Sequence, residues 1–148
     1  MEISTFGAYT DGINIWLPSA NINALFHQTL TGFEEAKYLC SFEGIESSNA
    51  WKIGNVLCFE KKLFFFSQYS YVVWIFDLYT QKMKKVKYYE RKSCFIPDIV
   101  QVGNDAWIMP RSFDSPVIIF NLSTGRSEQL KLENGNNVSD KFSFTYSC

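Results

Sequence analysis

The segment from Asn55 to Tyr89, NVLCFEKKLFFFSQYSYVVWIFDLYTQKMKKVKYY, holds the pattern that decides the fold. Four short runs, NVLCF, KLFFF, YVVWIFDL and MKKVKYY, are separated by polar residues that favour turns. The runs are rich in aromatic and β-branched residues, which fit the pleated surface of a sheet. The segment therefore predicts four short strands joined by turns, with no helical stretch between them.

Landmarks of this segment recur on both sides of it. The residue that ends the second strand repeats at intervals of 49 and then 43 residues, as Pro18, Ser67 and Pro110. A threonine in the turn after the third strand repeats at intervals of 49 and then 44 residues, as Thr31, Thr80 and Thr124. Because independent landmarks shift by nearly the same intervals, the sequence predicts a structural repeat of 43 to 49 residues.

A repeat of this length with four antiparallel strands is typical of a β-propeller blade. The chain resembles β-propellers of the broad Kelch-like or WD40-like kind over essentially its whole length. It departs from both signatures, because it has no Gly-Gly doublet, no Gly-His pair and no Trp-Asp dipeptide. The resemblance implies an all-β fold of antiparallel four-stranded blades, a partial propeller of about three blades. The sequence does not decide between the Kelch-type and the WD40-type family.

The repeat divides a single domain, residues 1–148, into approximate units at 5–54, 55–97 and 98–141. Residues 142–148 resemble the first strand of a further blade. Propellers close with about four to eight blades. Three alternatives follow: a piece of a longer propeller, self-association through open blade edges to complete a ring, or exposed ends.

Charge and hydropathy exclude two classes of partner. Lys and Arg number 14 against 15 Asp and Glu, so a chain-wide basic surface for nucleic acid is not expected. The apolar stretch from Leu63 to Leu78 is interrupted by polar residues and is shorter than the roughly 20 residues of a membrane span. We read it as two strands joined by a polar turn, and we expect no membrane contact.

The sequence offers no recognisable catalytic or metal site. His27 is the only histidine, and the cysteines form no CxxC pair. We therefore expect no Cys/His zinc site, no Ser-His-Asp triad and no cofactor. Scattered thiols and an N-terminus without a basic region followed by an apolar run lead to a predicted cytoplasmic location. The four cysteines are Cys40, Cys58, Cys94 and Cys148.

The related stretches FDLYTQ, Phe76 to Gln81, and FNLSTG, Phe120 to Gly125, suggest phosphate-binding turns at first sight. A phosphate-binding loop leads into a helix, whereas FNLSTG leads into an alternating strand, so we interpret both stretches as hairpin turns. Asp77 and Asn121 are expected to accept backbone N–H groups, and Gly125 to supply a left-handed residue. Gln81 at the glycine position implies a strain of about 1–2 kcal/mol.

The basic run from Gln81 to Lys92 falls where the repeat places the outermost strand of a blade. Lysines at such a position hinder edge-to-edge pairing, which is the interpretation we favour. Contact with an anionic partner is the alternative.

Aromatic residues after the Pro or Ser landmark are the candidate partner-binding residues. Tyr69, Tyr71 and Phe113, together with Arg111, are expected to form a loop face that contacts a partner. The sequence thus predicts a non-catalytic interaction module for a protein partner. The alternatives are a carbohydrate-binding or sugar-active propeller that uses the same aromatics, and a piece of a larger enzyme or scaffold.

Overall fold

A computed structural model describes residues 5, 7–32, 35–45, 53–90, 95–96, 98–111 and 115–130. Within these residues the chain forms twelve β-strands and no helix. The strands make three antiparallel sheets of four, each in sequential order. The predicted all-β class, a partial propeller of about three four-stranded blades, is confirmed. The strand expected at 142–148 lies outside the described residues.

Each blade takes four consecutive strands. The first blade contains β1 (Tyr9–Thr10), β2 (Asn14–Pro18), β3 (Leu25–Thr29) and β4 (Lys37–Cys40). The second contains β5 (Ile53–Phe59), β6 (Lys62–Ser67), β7 (Val72–Asp77) and β8 (Met83–Lys87). The third contains β9 (Asp98–Val102), β10 (Asp105–Met109), β11 (Ile118–Asn121) and β12 (Ser127–Gln129). The first strands of neighbouring blades adjoin, β1 beside β5 and β5 beside β9, so the fourth strands lie at the outer edges.

The stretch from Leu63 to Leu78 forms β6 and β7, which pair antiparallel as predicted from the polar residues between them. Within the part of the chain that the structure describes, no helix is long and apolar enough to cross a membrane.

The middle blade is buried on both faces, because side chains alternate along β6. Leu63 and Phe65 pack toward the first blade, and Phe64 and Phe66 pack toward the third. All four are at most 1% exposed. An apolar run without polar alternation is what a strand between two layers requires.

The junction between the first and second blades is closed by aromatic rings. Phe42, in the segment after β4, meets the ring of Phe65 at 5.4 Å and that of Trp74 at 5.7 Å, both edge to face. The Trp74 indole N–H donates to the carbonyl of Glu43 at 3.0 Å, so its one polar atom is satisfied. The first-blade side of this core includes Trp16 and Leu25.

The junction between the second and third blades is likewise aromatic. Phe120 of β11 contacts the rings of Phe64 and Phe66, with centroids 6.3 and 6.0 Å apart. Ile108 and Ile118 complete the third-blade side and are fully buried. Each junction buries large rings, so the three blades stabilise one another.

The tight turns of the three blades share one hydrogen bond, which supports the repeat directly. In each blade the leucine after the third strand donates its N–H to a carbonyl in the turn between the first two strands. The pairs are Leu30 to Ile13 at 2.7 Å, Leu78 to Lys61 at 3.0 Å and Leu122 to Asn104 at 2.8 Å.

The turn after β7 is closed by the Asp77 carboxylate. Its Oδ1 accepts the N–H groups of Tyr79 and Thr80 at 2.9 and 2.8 Å. The Gln81 N–H donates to the Asp77 carbonyl at 2.8 Å. Gln81 has φ 55°, so the predicted left-handed conformation at this position is confirmed.

The equivalent turn after β11 uses an amide in place of the carboxylate. Asn121 Oδ1 accepts the Thr124 N–H at 2.8 Å, and the Gly125 N–H donates to the Asn121 carbonyl at 2.8 Å. Gly125 has φ 71°, which costs glycine nothing. The second and third blades therefore build the same turn, with strain only in the second.

A second strained turn lies between β5 and β6. Glu60 and Lys61 have φ values of 46° and 59°, which is the pattern of a type I′ hairpin turn, usually Asn-Gly. The corresponding turn of the third blade places Gly103 at φ 60°. Both tight turns of the middle blade thus hold non-glycine residues in the left-handed region.

Replacing Gln81 by glycine should stabilise the chain. The left-handed strain of about 1–2 kcal/mol is relieved, and the more flexible unfolded chain takes back about 0.5–1 kcal/mol of that gain. We expect a net increase of about 0.5–1 kcal/mol in the free energy of unfolding, measured by urea titration. Gln81→Ala keeps the Cβ atom and should show no gain. Equal stabilisation by both variants would contradict the strain assignment.

The turn of the second blade should respond to acid. Hydrogen bonds from the backbone N–H of Thr80, and then of Tyr79, lower the pKa of Asp77. A lowered pKa means that the ionised carboxylate stabilises the folded state above the unfolded pKa, about 3.9, and that this contribution disappears as pH falls through the folded pKa. We expect the stability difference between the wild type and Asp77→Asn to shrink below about pH 4. Urea midpoints measured from neutral pH to about pH 2.5 would refute this if the difference stayed constant.

Candidate partner-binding site

The propeller has two different ends. The turn end carries the tight turns between first and second and between third and fourth strands. The loop end carries the segments between second and third strands and the links between blades. The described parts of the loop end are residues 19–24, 41–45, 68–71, 88–90, 95–96, 110–111 and 115–117. The predicted site residues that the structure describes, Tyr69, Tyr71 and Arg111, fall in loop-end segments.

Tyr69 lies in the short connection from β6 to β7 and is half-buried. Its N–H donates to Ser67 Oγ at 3.2 Å, and the Ser70 hydroxyl donates to the same oxygen at 2.8 Å. Ser67 itself is buried, so the hydroxyl that organises this connection is anchored in the blade. These bonds fix the backbone from which the Tyr69 ring projects.

Phe95, in the link between the second and third blades, is in ring contact with Tyr69. The two ring centroids lie 5.5 Å apart with a tilt of 43°. The Phe95 carbonyl accepts the Arg111 N–H at 3.0 Å, and the neighbouring Ile96 N–H donates to the Gln68 carbonyl at 2.7 Å. Three segments from two blades therefore meet at one place.

Arg111 follows β10 and is exposed. Its backbone is fixed by Phe95, whereas its guanidinium is on the surface. The structure thus brings two of the predicted residues, Tyr69 and Arg111, to the same part of the loop end. Their role in binding stays a prediction. Phe113 lies outside the described residues.

Tyr71 belongs to the core, in contrast to the expected exposed position. It is 2% exposed, and its ring meets those of Tyr88 at 5.8 Å and Tyr89 at 5.0 Å. The Tyr88 N–H donates to the Tyr71 carbonyl at 2.9 Å. The reason is its place directly before β7, where its side chain enters the junction with the third blade.

Phe95 is the residue of this group that the sequence reasoning missed. It lies in the stretch SCFIP, between the outermost strand of one unit and the first strand of the next, where no landmark repeats. A phenylalanine two residues before Pro97 gives no periodic signal by itself. Its importance comes only from the contact with Tyr69.

The titratable groups near the first junction have structural roles. His27 Nε2 lies 2.9 Å from Asn14 Oδ1, and the His27 ring stacks near Trp16 at 5.3 Å. A hydrogen bond with the Cys58 side chain, assisted by burial, raises the pKa of Tyr9 to about 12. That phenol stays protonated at neutral pH and cannot serve as a base there.

The cysteines that the structure describes, Cys40 and Cys58, are free and pack against the core of the first junction. Burial raises the pKa of the Cys40 thiol. Among the described residues, no group of three or more His, Cys, Asp or Glu side chains could hold a metal ion.

The basic run occupies the outer edge of the second blade. Lys84, Lys85 and Lys87 of β8 are exposed, and Lys87 forms an ion pair with Glu90 at 2.6 Å. This is the edge position expected from the repeat. The protective role of the lysines stays a prediction, and residues 91 and 92 lie outside the described part.

Neither protein-family models nor curated protein sequences show a match to this chain. Among solved structures, the chain is similar to the extracellular domain of a putative one-component system from B. thetaiotaomicron. The two share 15% identity with a TM-score of 0.65, over 84% of this chain and 16% of that one. A second structure, of the extracellular domain of a putative hybrid two-component system from the same organism, agrees at TM-score 0.65.

Two further structures show the same fold. The N-terminal domain of Nup159 matches at 14% identity and TM-score 0.53, over 84% of this chain and 29% of that one. A europium-containing methanol dehydrogenase matches at 14% identity and TM-score 0.55, over 82% of this chain and 23% of that one. At these identities the likeness establishes a propeller-like fold, without assigning the Kelch or WD40 family. The chain spans less than a third of each matched structure.

The two B. thetaiotaomicron structures are extracellular domains. The predicted cytoplasmic location is therefore wrong. The prediction relied on scattered thiols and on the composition of the N-terminus. Neither observation reports on the compartment in which a propeller works.

Replacing Tyr71 and replacing Tyr69 should lower the free energy of unfolding by clearly different amounts. Tyr71→Ala removes a buried ring from the second junction and should lower the free energy of unfolding by about 3–5 kcal/mol. Tyr69→Ala removes a half-buried ring at the loop end and should cost about 1 kcal/mol. Urea titration of the two variants measures the difference. Similar costs for both would show that Tyr71 is not a core residue.

Proposed function

We propose that the chain is a non-catalytic interaction module that presents its loop end to a protein partner. The observation that carries the proposal is the convergence of Tyr69, Phe95 and Arg111. These residues come from three segments and are joined by a ring contact of 5.5 Å and a backbone hydrogen bond of 3.0 Å.

The chemistry of this group suits protein recognition. Tyrosine and arginine are among the residues that contribute most to binding energy at protein interfaces. The Tyr69 ring rests on Phe95, so little side-chain freedom remains to be lost on binding. The exposed Arg111 guanidinium offers up to five N–H donors to carbonyl or carboxylate groups of a partner.

The similar structures support a binding role in general terms. A S. cerevisiae structure shows Dbp5 bound to Nup159 and Gle1. The two extracellular domains favour a partner outside the cytoplasm. The methanol dehydrogenase shows that this fold also occurs in an enzyme, so the non-catalytic choice rests on the residues of the loop end.

The test compares the partners that three purified proteins, the wild type and two variants, capture from an extract of the source cells. Tyr69→Ala combined with Arg111→Ala should reduce recovery of the specific partner by about tenfold or more, as expected for loss of two central contacts. Tyr79→Ala is the matched control, since Tyr79 is 90% exposed at the turn end. It should leave recovery unchanged. Quantitative mass spectrometry gives the ratios.

Unchanged recovery by a folded double variant would show that this part of the loop end does not bind the partner. A glycan array probed with the same three proteins tests the carbohydrate alternative, because stacking on a sugar would also need the Tyr69 ring. Sugar binding that is lost with the double variant, without any protein partner, would replace the protein proposal.

A further inference from the structure

The two junctions inside the chain show how neighbouring blades fit together. Each blade has a leading face, which packs on the following blade, and a trailing face, which packs on the preceding one. On the leading face of the second blade, Phe64 and Phe66 are 1% and 0% exposed. On its trailing face, Leu63 and Phe65 are both 0% exposed. Every internal junction joins a leading face to a trailing face.

The leading face of the third blade carries the same kind of residue in the same register. Lys62 and Asp105 each follow a two-residue turn and pair with the last residue of the preceding strand. Counting from these, Trp107 and Met109 occupy the positions of Phe64 and Phe66. Both are half-buried, where their equivalents in the second blade are fully buried.

The first strand of the third blade extends this face. Ile99 packs into the second junction, so the alternation of β9 places Val100 and Val102 on the leading face. They are 47% and 55% exposed. Among the described residues no further blade packs over them.

The trailing face of the first blade is the second face over which no other blade packs among the described residues, although its Phe26 is only 5% exposed. Trp16 and Leu25 pack toward the second blade, so the alternate residues Leu17 and Phe26, which pair with each other, lie on the opposite side. Phe26 meets the ring of Tyr38 at 6.2 Å, edge to face. Tyr38 is 58% exposed.

We propose that the leading face of the third blade binds the trailing face of the first blade in a second copy of this chain. Two copies then close a ring of six blades with two identical junctions. A ring of six lies within the range of about four to eight blades that propellers adopt. The new junctions continue the packing of the two internal ones, so they join sheet faces and not strand edges. This surface is separate from the loop end, and the dimer forms whether or not a protein partner binds.

The test is the mass of the purified chain in solution, measured by light scattering during gel filtration at several concentrations. We expect a dimer. Val100→Glu places a charge in one face and Tyr38→Glu in the other, and each should raise the dissociation constant of the dimer about tenfold or more. Both positions are exposed in the single chain, so both variants should fold, which circular dichroism verifies. Tyr79→Glu at the turn end is the control and should remain dimeric.

Mixing the two variants tests the direction of the contact. Val100→Glu retains an intact trailing face and Tyr38→Glu an intact leading face, so an equal mixture regains one good junction. It should form more dimer than either variant alone. A monomeric wild type, open oligomers larger than a dimer, or a dimer insensitive to either substitution would overturn the proposal.

Discussion

The fold depends on one constraint: a strand with apolar side chains on both faces is stable only between two other layers. β6 is such a strand, with Leu63 and Phe65 on one face and Phe64 and Phe66 on the other, all essentially inaccessible to water. Each of these side chains would lose about 1.5–3 kcal/mol of stabilisation if its covering blade were absent. The first and third blades are therefore required by the middle one, and the aromatic content of the sequence is concentrated where they meet.

The two ends of the molecule differ in role: the turn end is structural, and the loop end carries the candidate binding residues. The turn end repeats one backbone bond in all three blades, and its side chains mainly satisfy their own turn. The loop end differs from blade to blade, because its segments vary in length and composition. Variable segments held by a regular scaffold are where binding residues usually occur. Tyr69 and Arg111 lie there, whereas the strained Gln81 lies at the opposite end.

Much of the fold was predictable because turn chemistry is local. Asp77 and Asn121 close equivalent turns with nearby backbone groups, so a short stretch such as FNLSTG carries the repeat by itself. The site was less predictable because its contacts are distant in sequence. Tyr71 follows three polar or aromatic loop residues and resembles Tyr69 in sequence context, yet its place directly before β7 turns its side chain into the core. Phe95 carries no signal until the link brings it to Tyr69. The cellular location could not be predicted either from the sequence pattern or from the packing of the blades.

Because β6 is apolar on both faces, hydropathy alone does not fix its pairing register with the neighbouring strands. In a strand with one solvent-exposed face, a register shift of one residue would bury polar groups, and the cost of that burial fixes the pairing. From Leu63 to Phe66 a slide exchanges one apolar side chain for another. The alignment must then come from the polar ends of the strand, where the two-residue connection at Glu60 and Lys61 allows one pairing of Phe59 with Lys62. Two charged residues in a strained backbone thus determine which phenylalanine faces which blade.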